Sequence, residues 1–214
     1  MQRKISDIYD EYKIMPNLRE HMYRVAGVAS LICDNFDGEL SKKDIITACL
    51  LHDMGNIIKF NLEYFPEYNE PKGIKYWQEV QNEYKKKYGN DEFISHAKIA
   101  REIGVSGRVV ELIQAINFIS IPASVPSRDF DKKIVQYSDE RVGPFGVVSL
   151  EQRFLDLRKR YTHHGDDTPE RRAYEIAQKE IEKQVFPKCK IKPEDINDET
   201  VKPIIEKLRE FIIK

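Results

Sequence analysis

The chain has 214 residues, of which 41% are apolar and 33% charged, a balance that suits one well-buried soluble domain and excludes disordered or fibrous classes. A net charge of -1 excludes a broad electrostatic footprint for nucleic acid, and no stretch approaches the ~20 apolar residues of a membrane span. The opening Met-Gln-Arg-Lys-Ile-Ser-Asp lacks the apolar core of a signal peptide, and Cys33, Cys49 and Cys189 show no Cys-x-x-Cys spacing, so a reducing, cytoplasmic location is expected.

Helical periodicity runs from end to end, with no convincing strand hairpin and no internal repeat, so an all-α bundle is expected. A first long helix begins near Pro16. Leu18, Met22, Val25, Ala29, Ile32 and Phe36 follow its apolar row, and His21 joins the adjoining row of Val25, Val28 and Ile32. The next segment, Ser41 to Gly55, has Ser41 as candidate N-cap, Asp44 at the capping-box position and Gly55 as the stop. His52 continues the row of Ile45 and Cys49, and Asp53 that of Ile46 and Leu50, so both land on the apolar face.

A buried carboxylate without a partner costs several kcal/mol, and an imidazole beside a carboxylate makes a good corner for a divalent metal. The ordinary alternative is an Asp bonded to a backbone amide or to the His. Further inward polar residues weigh against that alternative. His96 shares a row with Ala100 and Ile103 in the segment 93–103, and Asp139 shares one with Val135 and Val142 in the segment 132–142. Helical bundles build metal sites from side chains on facing helices.

The remaining segments say less. The loop from Phe60 to Tyr68 could line a pocket for a base or be a plain amphipathic turn, and Lys85 to Lys87 read as a solvated helix face. Three more helices are expected, over Ser149 to Tyr161, Thr168 to Val185 and Asp198 to Ile213, each opening on a capping residue. His163, His164, Asp166 and Asp167 lie in a Gly-containing polar linker and read as a surface turn.

The order His21, then His52-Asp53 at the end of a Leu-Leu-rich helix, then a distant Asp139 within Tyr-Ser-Asp-Glu-Arg-Val resembles the HD superfamily of metal-dependent phosphohydrolases. The resemblance covers roughly residues 15 to 145. It implies an HD-domain helical bundle over residues 1–147, with residues 148–214 as a C-terminal helical extension packed on the same domain. It also implies His21, His52, Asp53 and Asp139 as the ligands of one divalent ion, whether Mn, Fe, Zn, Co, Ni or Mg.

In layout the chain is similar to the bacterial HD hydrolases of diadenosine tetraphosphate, which hold a second metal with two more histidines. His96 corresponds to the first of these. Asn117 stands near the second, and an amide is a poor ligand beside imidazole, so the second ion near His96 is the lesser expectation. Asn56 follows the His-Asp-x-Gly stretch where many relatives carry Lys, which leaves Lys59 as a substitute cation, while Arg24, three residues after His21, is the expected phosphate clamp. His96 is expected to act as general acid or as support for another site residue.

The expected function is metal-dependent hydrolysis of a phosphate ester or phosphoanhydride by activated water. The substrate is a small phosphorylated molecule, a nucleotide in the first place, with neither nucleic acid nor membrane as partner and homo-oligomers allowed. The alternatives are a catalytically silent HD module that binds a nucleotide or protein, a di-iron HD oxygenase, for which the extra histidines are missing, and a helical interaction protein whose histidines merely fill the core.

Overall fold

The computed structural model describes residues 2–160 and 168–213. The residues His163, His164, Asp166 and Asp167 lie outside this range. Helices α1 (Ile5–Glu11), α2 (Pro16–Asn35), α3 (Lys42–Leu51), α4 (Ile74–Tyr88), α5 (Glu92–Ile103) and α6 (Gly107–Ala115) are followed by the short α7 (Ile121–Ser124). Helices α8 (Phe130–Glu140), α9 (Leu150–Arg160), α10 (Pro169–Val185) and α11 (Asp198–Leu208) complete the series. The all-α expectation holds. The one sheet among the described residues is a two-residue antiparallel pair, β1 (Arg3–Lys4) with β2 (Ile212–Ile213), too short to leave a period-2 pattern.

The central layer is α2 and α3, which pack on each other, with α8 against both and α11 across the outer side of α2. Burial follows the sequence pattern: Leu18, Met22, Val25, Ala29 and Ile32 of α2 are enclosed, as are Ile45, Ala48, Cys49, Leu50 and Leu51 of α3. One connected apolar cluster runs from Ile5 to Ile213, so the C-terminal helices share the core. Arg141 secures them. It is buried, and its guanidinium and Nε donate to Val148 O, Pro193 O, Ile196 O and the Tyr137 hydroxyl.

Helices α3 and α8 run in the same direction. At their N-terminal ends the Ser41 amide donates to Asp131 Oδ1 at 3.2 Å, and Arg108 at the start of α6 bonds both Asp129 and Asp131. Their opposite ends carry His52 and Asp139.

Several boundaries differ from the sequence reading. Ser41 does not close a capping box, because the Asp131 carboxylate takes its amide from another helix. The helix expected to run to Ile213 stops at Leu208, and its cap is Asn197, which accepts from the Glu199 and Thr200 amides; the chain then turns into β2. The stretch from Pro122 to Pro126 holds most of α7. Thr168 caps α10 as expected, accepting from the Arg171 amide.

Candidate metal centre

Helix α3 is apolar up to Leu51, and His52 is its C-cap. The last carbonyls of a helix lack intrahelical partners. Two of them are satisfied here by side chains: Cys49 O accepts from His52 Nδ1 at 2.8 Å and Leu50 O from the Tyr9 hydroxyl at 2.6 Å. A carbonyl can only accept, so Nδ1 carries a proton, and Nε2 is the nitrogen left to present a lone pair once the ring is neutral. The imidazole is thereby fixed in orientation and tautomer by the helix end on which it sits.

His52 Nε2 lies 3.3 Å from His21 Nε2 and 3.3 Å from Asp139 Oδ1, and His21 Nε2 lies 3.0 Å from Asp139 Oδ1. Asp53 Oδ2 stands 3.7 Å from His21 Nε2 and 3.8 Å from His52 Nε2. Ligand atoms about 2.1 Å from one ion are separated by about 3.0 Å at octahedral and about 3.4 Å at tetrahedral angles; the His21, His52 and Asp139 atoms fall in that range, and the Asp53 oxygen stands a few tenths of an ångström wider. The two imidazole nitrogens, turned toward each other across 3.3 Å, share Asp139 Oδ1 as a partner. Of groups of three or more His, Cys, Asp or Glu searched among those residues, one gathers its ligand atoms within 4.8 Å: His21, His52 and Asp53. Asp139 reaches the same two histidines from α8.

The electrostatics agree with a cation site. Burial pulls the His52 imidazole down, but the Asp53 and Asp139 carboxylates outweigh it and raise its pKa to about 9. Burial likewise opposes ionisation of Asp139, yet bonds to His21 and His52 hold its carboxyl well below the usual range, and Asp53 is lowered by the His52 and His21 charges against the same burial. Asn56 fixes Asp53, its Nδ2 donating to Oδ2 at 2.9 Å. Asn56 thus occupies the place after the glycine with a carboxylate holder instead of a cation.

His96, on α5, is buried, and burial lowers its pKa to about 4, so the ring is neutral at pH 7. Its Nε2 has no hydrogen-bond partner among the described residues. It lines, with Asp53 and Asp139, a cavity of about 420 Å³ whose other walls include Phe93, Ile116, Phe118 and Ile121. Asn117 also lines this cavity, its Oδ1 accepting from the Ile119 amide. Lys59 lines it too, paired with Glu92 at 3.0 Å.

A second cavity of about 230 Å³ opens on the His21 side, and Asp53, Lys59, Asp139 and Arg153 border both spaces. The loop after the motif does line pockets: Phe60, Phe65 and Tyr68 border the smaller cavity, and Tyr64 an adjoining one. Arg24 is half-buried one turn after His21, close enough for its charge to act on the Tyr68 hydroxyl, and is not among the residues bordering these cavities.

The C-terminal helices form a wall of the site. Arg153 and Leu157 of α9, with Arg171 and Tyr174 of α10, border the larger cavity. Arg153 Nε lies 3.6 Å from Glu140 Oε2, next in sequence to Asp139; burial pushes the Glu140 carboxyl up, and Arg153 opposes that rise. Sequence reasoning missed both arginines, although a signal existed. Arg153 falls in the apolar row of Leu150, Phe154 and Leu157, and Arg171 in that of Tyr174, Gln178 and Ile181, the same kind of placement that marked His21.

Residues 18–116 match the family model of the HD domain. The bundle and this histidine-carboxylate set agree with the match, which supports membership of the HD superfamily, a group made up mostly of metal-dependent phosphohydrolases. His21, His52, Asp53 and His96 fall inside the matched span; Asp139, Arg153 and Arg171 lie beyond it. No curated protein and no solved structure matches the chain.

Proposed function

We propose that the protein is a metal-dependent phosphohydrolase acting on a nucleotide-type phosphate ester or phosphoanhydride. The observation that carries this reading is the convergence of His21 Nε2, His52 Nε2, Asp53 Oδ2 and Asp139 Oδ1, with imidazole separations from the carboxylates of 3.0 to 3.8 Å, the two carboxylates bordering a partly apolar cavity. Those four residues would hold one divalent ion. Bound there, the ion supplies Lewis acidity toward a phosphoryl oxygen and an acidified water near neutral pH.

The chain's own residues do the rest. Asn56 keeps Asp53 turned toward the centre, and the Cys49 carbonyl keeps His52 turned the same way. Arg153, on the border of both cavities and near the Asp139 end of the centre, takes the part of phosphate clamp; Lys59 adds charge from the α5 side, and Arg24 is the outer cation near Tyr68. A neutral His96 is a hydrogen-bond partner for substrate or water, a role that its pKa of about 4 favours over proton donation at pH 7. The aromatic and apolar lining supports a substrate that carries a base, hence a nucleotide drawn from a cytoplasmic pool.

The test is metal analysis of the wild type beside the His52→Ala Asp53→Ala double variant, with phosphate release measured on the same samples. The substrates should include nucleoside mono-, di- and triphosphates, cyclic nucleotides and, given the similarity of layout noted for His96, dinucleoside polyphosphates. Near-stoichiometric metal and turnover in the wild type, both lost in the variant, support the reading. A wild type that takes up no Mn, Fe, Zn, Co, Ni or Mg overturns it.

A further inference from the structure

Two buried guanidinium nitrogens in the larger cavity have no hydrogen-bond partner among the described residues: Arg153 Nε and one terminal nitrogen of Arg171. Leaving such donors bare inside a protein is costly unless water or an anion completes them, and beside a guanidinium charge an anion is the stronger acceptor. The neighbouring charges are already engaged. Glu175, one turn after Arg171, is bonded at both oxygens by Arg158, Glu92 is bonded by Lys59, and Glu140 stands against Arg153. The four acids bordering the cavity, Asp53, Asp139, Glu140 and Glu175, are therefore spoken for by the metal centre, by Arg153 and by Arg158. Arg171 remains without a paired acid among the described residues. It sits in the first turn of the 17-residue α10, beside the cap Thr168, where the helix dipole adds to its pull on an anion.

Arg153 and Arg171 differ in one respect. Arg153 borders both cavities and is drawn electrostatically by Asp139, whereas Arg171 borders the larger one alone of the two. A phosphoryl group at the metal centre can meet Arg153; it leaves Arg171 for something else.

We propose that Arg171, which borders the same cavity as Arg153, forms an anion subsite contributed by the C-terminal helices, and that the substrate carries a second anionic group, a phosphate or a carboxylate, besides the phosphoryl group that reacts. The assignment of that group to a substrate rests on the phosphohydrolase reading; the subsite itself does not. Ile116, Ile121 and Leu157 line the same cavity, which fits a substrate with an aromatic or apolar body as well as the two anions.

The experiment is calorimetric titration of the manganese-loaded protein and of its Arg171→Gln and Arg171→Lys variants. The probes are orthophosphate and AMP against pyrophosphate, tripolyphosphate and adenosine 3′,5′-bisphosphate. In the wild type at least one probe with two or more phosphate groups, the doubly anionic class, binds tenfold or more tighter than its counterpart with one. Arg171→Gln removes that advantage while orthophosphate affinity stays within twofold, and Arg171→Lys restores part of it. Melting curves verify that both variants fold. Equal loss for both probe classes, or no preference in the wild type, overturns the proposal. A chain that takes up no metal yet binds doubly anionic probes in an Arg171-dependent way keeps the subsite and defeats only the hydrolase reading.

Discussion

Gly55 and His96 are packed so closely that a Cβ on the glycine would stand 2.7 Å from His96 Cδ2 and 2.9 Å from Ser95 Cβ. The backbone of Gly55 has φ of -98°, which any residue adopts, so the glycine serves the close approach of α5 and not a left-handed turn. Replacing it by alanine should cost about 1–3 kcal/mol through overpacking and push His96 away from the cavity floor. Thermal unfolding of Gly55→Ala reads the first effect, and the chemical shifts of the His96 ring the second; an unchanged melting temperature with unmoved His96 resonances contradicts the argument.

Metal binding should release protons. With a pKa near 9, His52 is mostly protonated at pH 7 before the ion enters, and an imidazole must be neutral to ligate. The sign follows: affinity rises with pH up to about 9, by about tenfold per unit, and levels off above it. Calorimetry in buffers of differing ionisation heat should count about one proton from this residue at pH 7 and close to none at pH 10.

Asn56 holds Asp53 by a single 2.9 Å bond, and such supports of a metal ligand are typically worth 10–100-fold in affinity. Asn56→Leu, of similar volume and without the donor, should weaken metal uptake by at least tenfold while leaving the melting temperature of the metal-free protein nearly unchanged. Competition with a chelator of known affinity measures it.

At the far end of α3 and α8, burial raises the Asp129 carboxyl, yet the Arg108 guanidinium bonds outweigh it and leave Asp129 below its usual range. A depressed acid contributes stability above its unfolded pKa, about 4, and loses it as pH falls through the folded value. Arg108→Met should therefore cost roughly 1 kcal/mol at pH 7, the pair being about a quarter exposed and partly screened, and almost nothing near pH 2. Urea unfolding at the two pH values tests the difference.

The candidate site was legible because five polar residues, His21, His52, Asp53, His96 and Asp139, interrupt apolar helical rows that period 3.6 places on a face without knowledge of the fold; the resemblance alone singled out four of them as ligands. Caps placed the starts of α9 and α10 for the same local reason: Ser149 and Thr168 each accept from an amide within their own first turn. What escaped was set by distant contacts. The Ser41 amide was claimed by Asp131, ninety residues on, and Asn56 became a carboxylate holder only once the turn after α3 placed it beside Asp53. Arg153 and Arg171 escaped because an arginine within an amphipathic helix commonly snorkels to water, and only the packing of α9 and α10 over the cavity makes them inward.

Three consecutive residues near the end of α8 face three different tasks: Asp139 meets the histidines, Glu140 meets Arg153, and Arg141 grips the chain around Val148, Pro193 and Ile196. Each step along a helix turns the side chain by about 100°, so these directions are locked together by the geometry of one turn. Chemistry, charge neutralisation and attachment of the C-terminal helices consequently share a single phase. Inserting or deleting one residue in α8 would shift all three at once, and no single compensating substitution could bring them back into step.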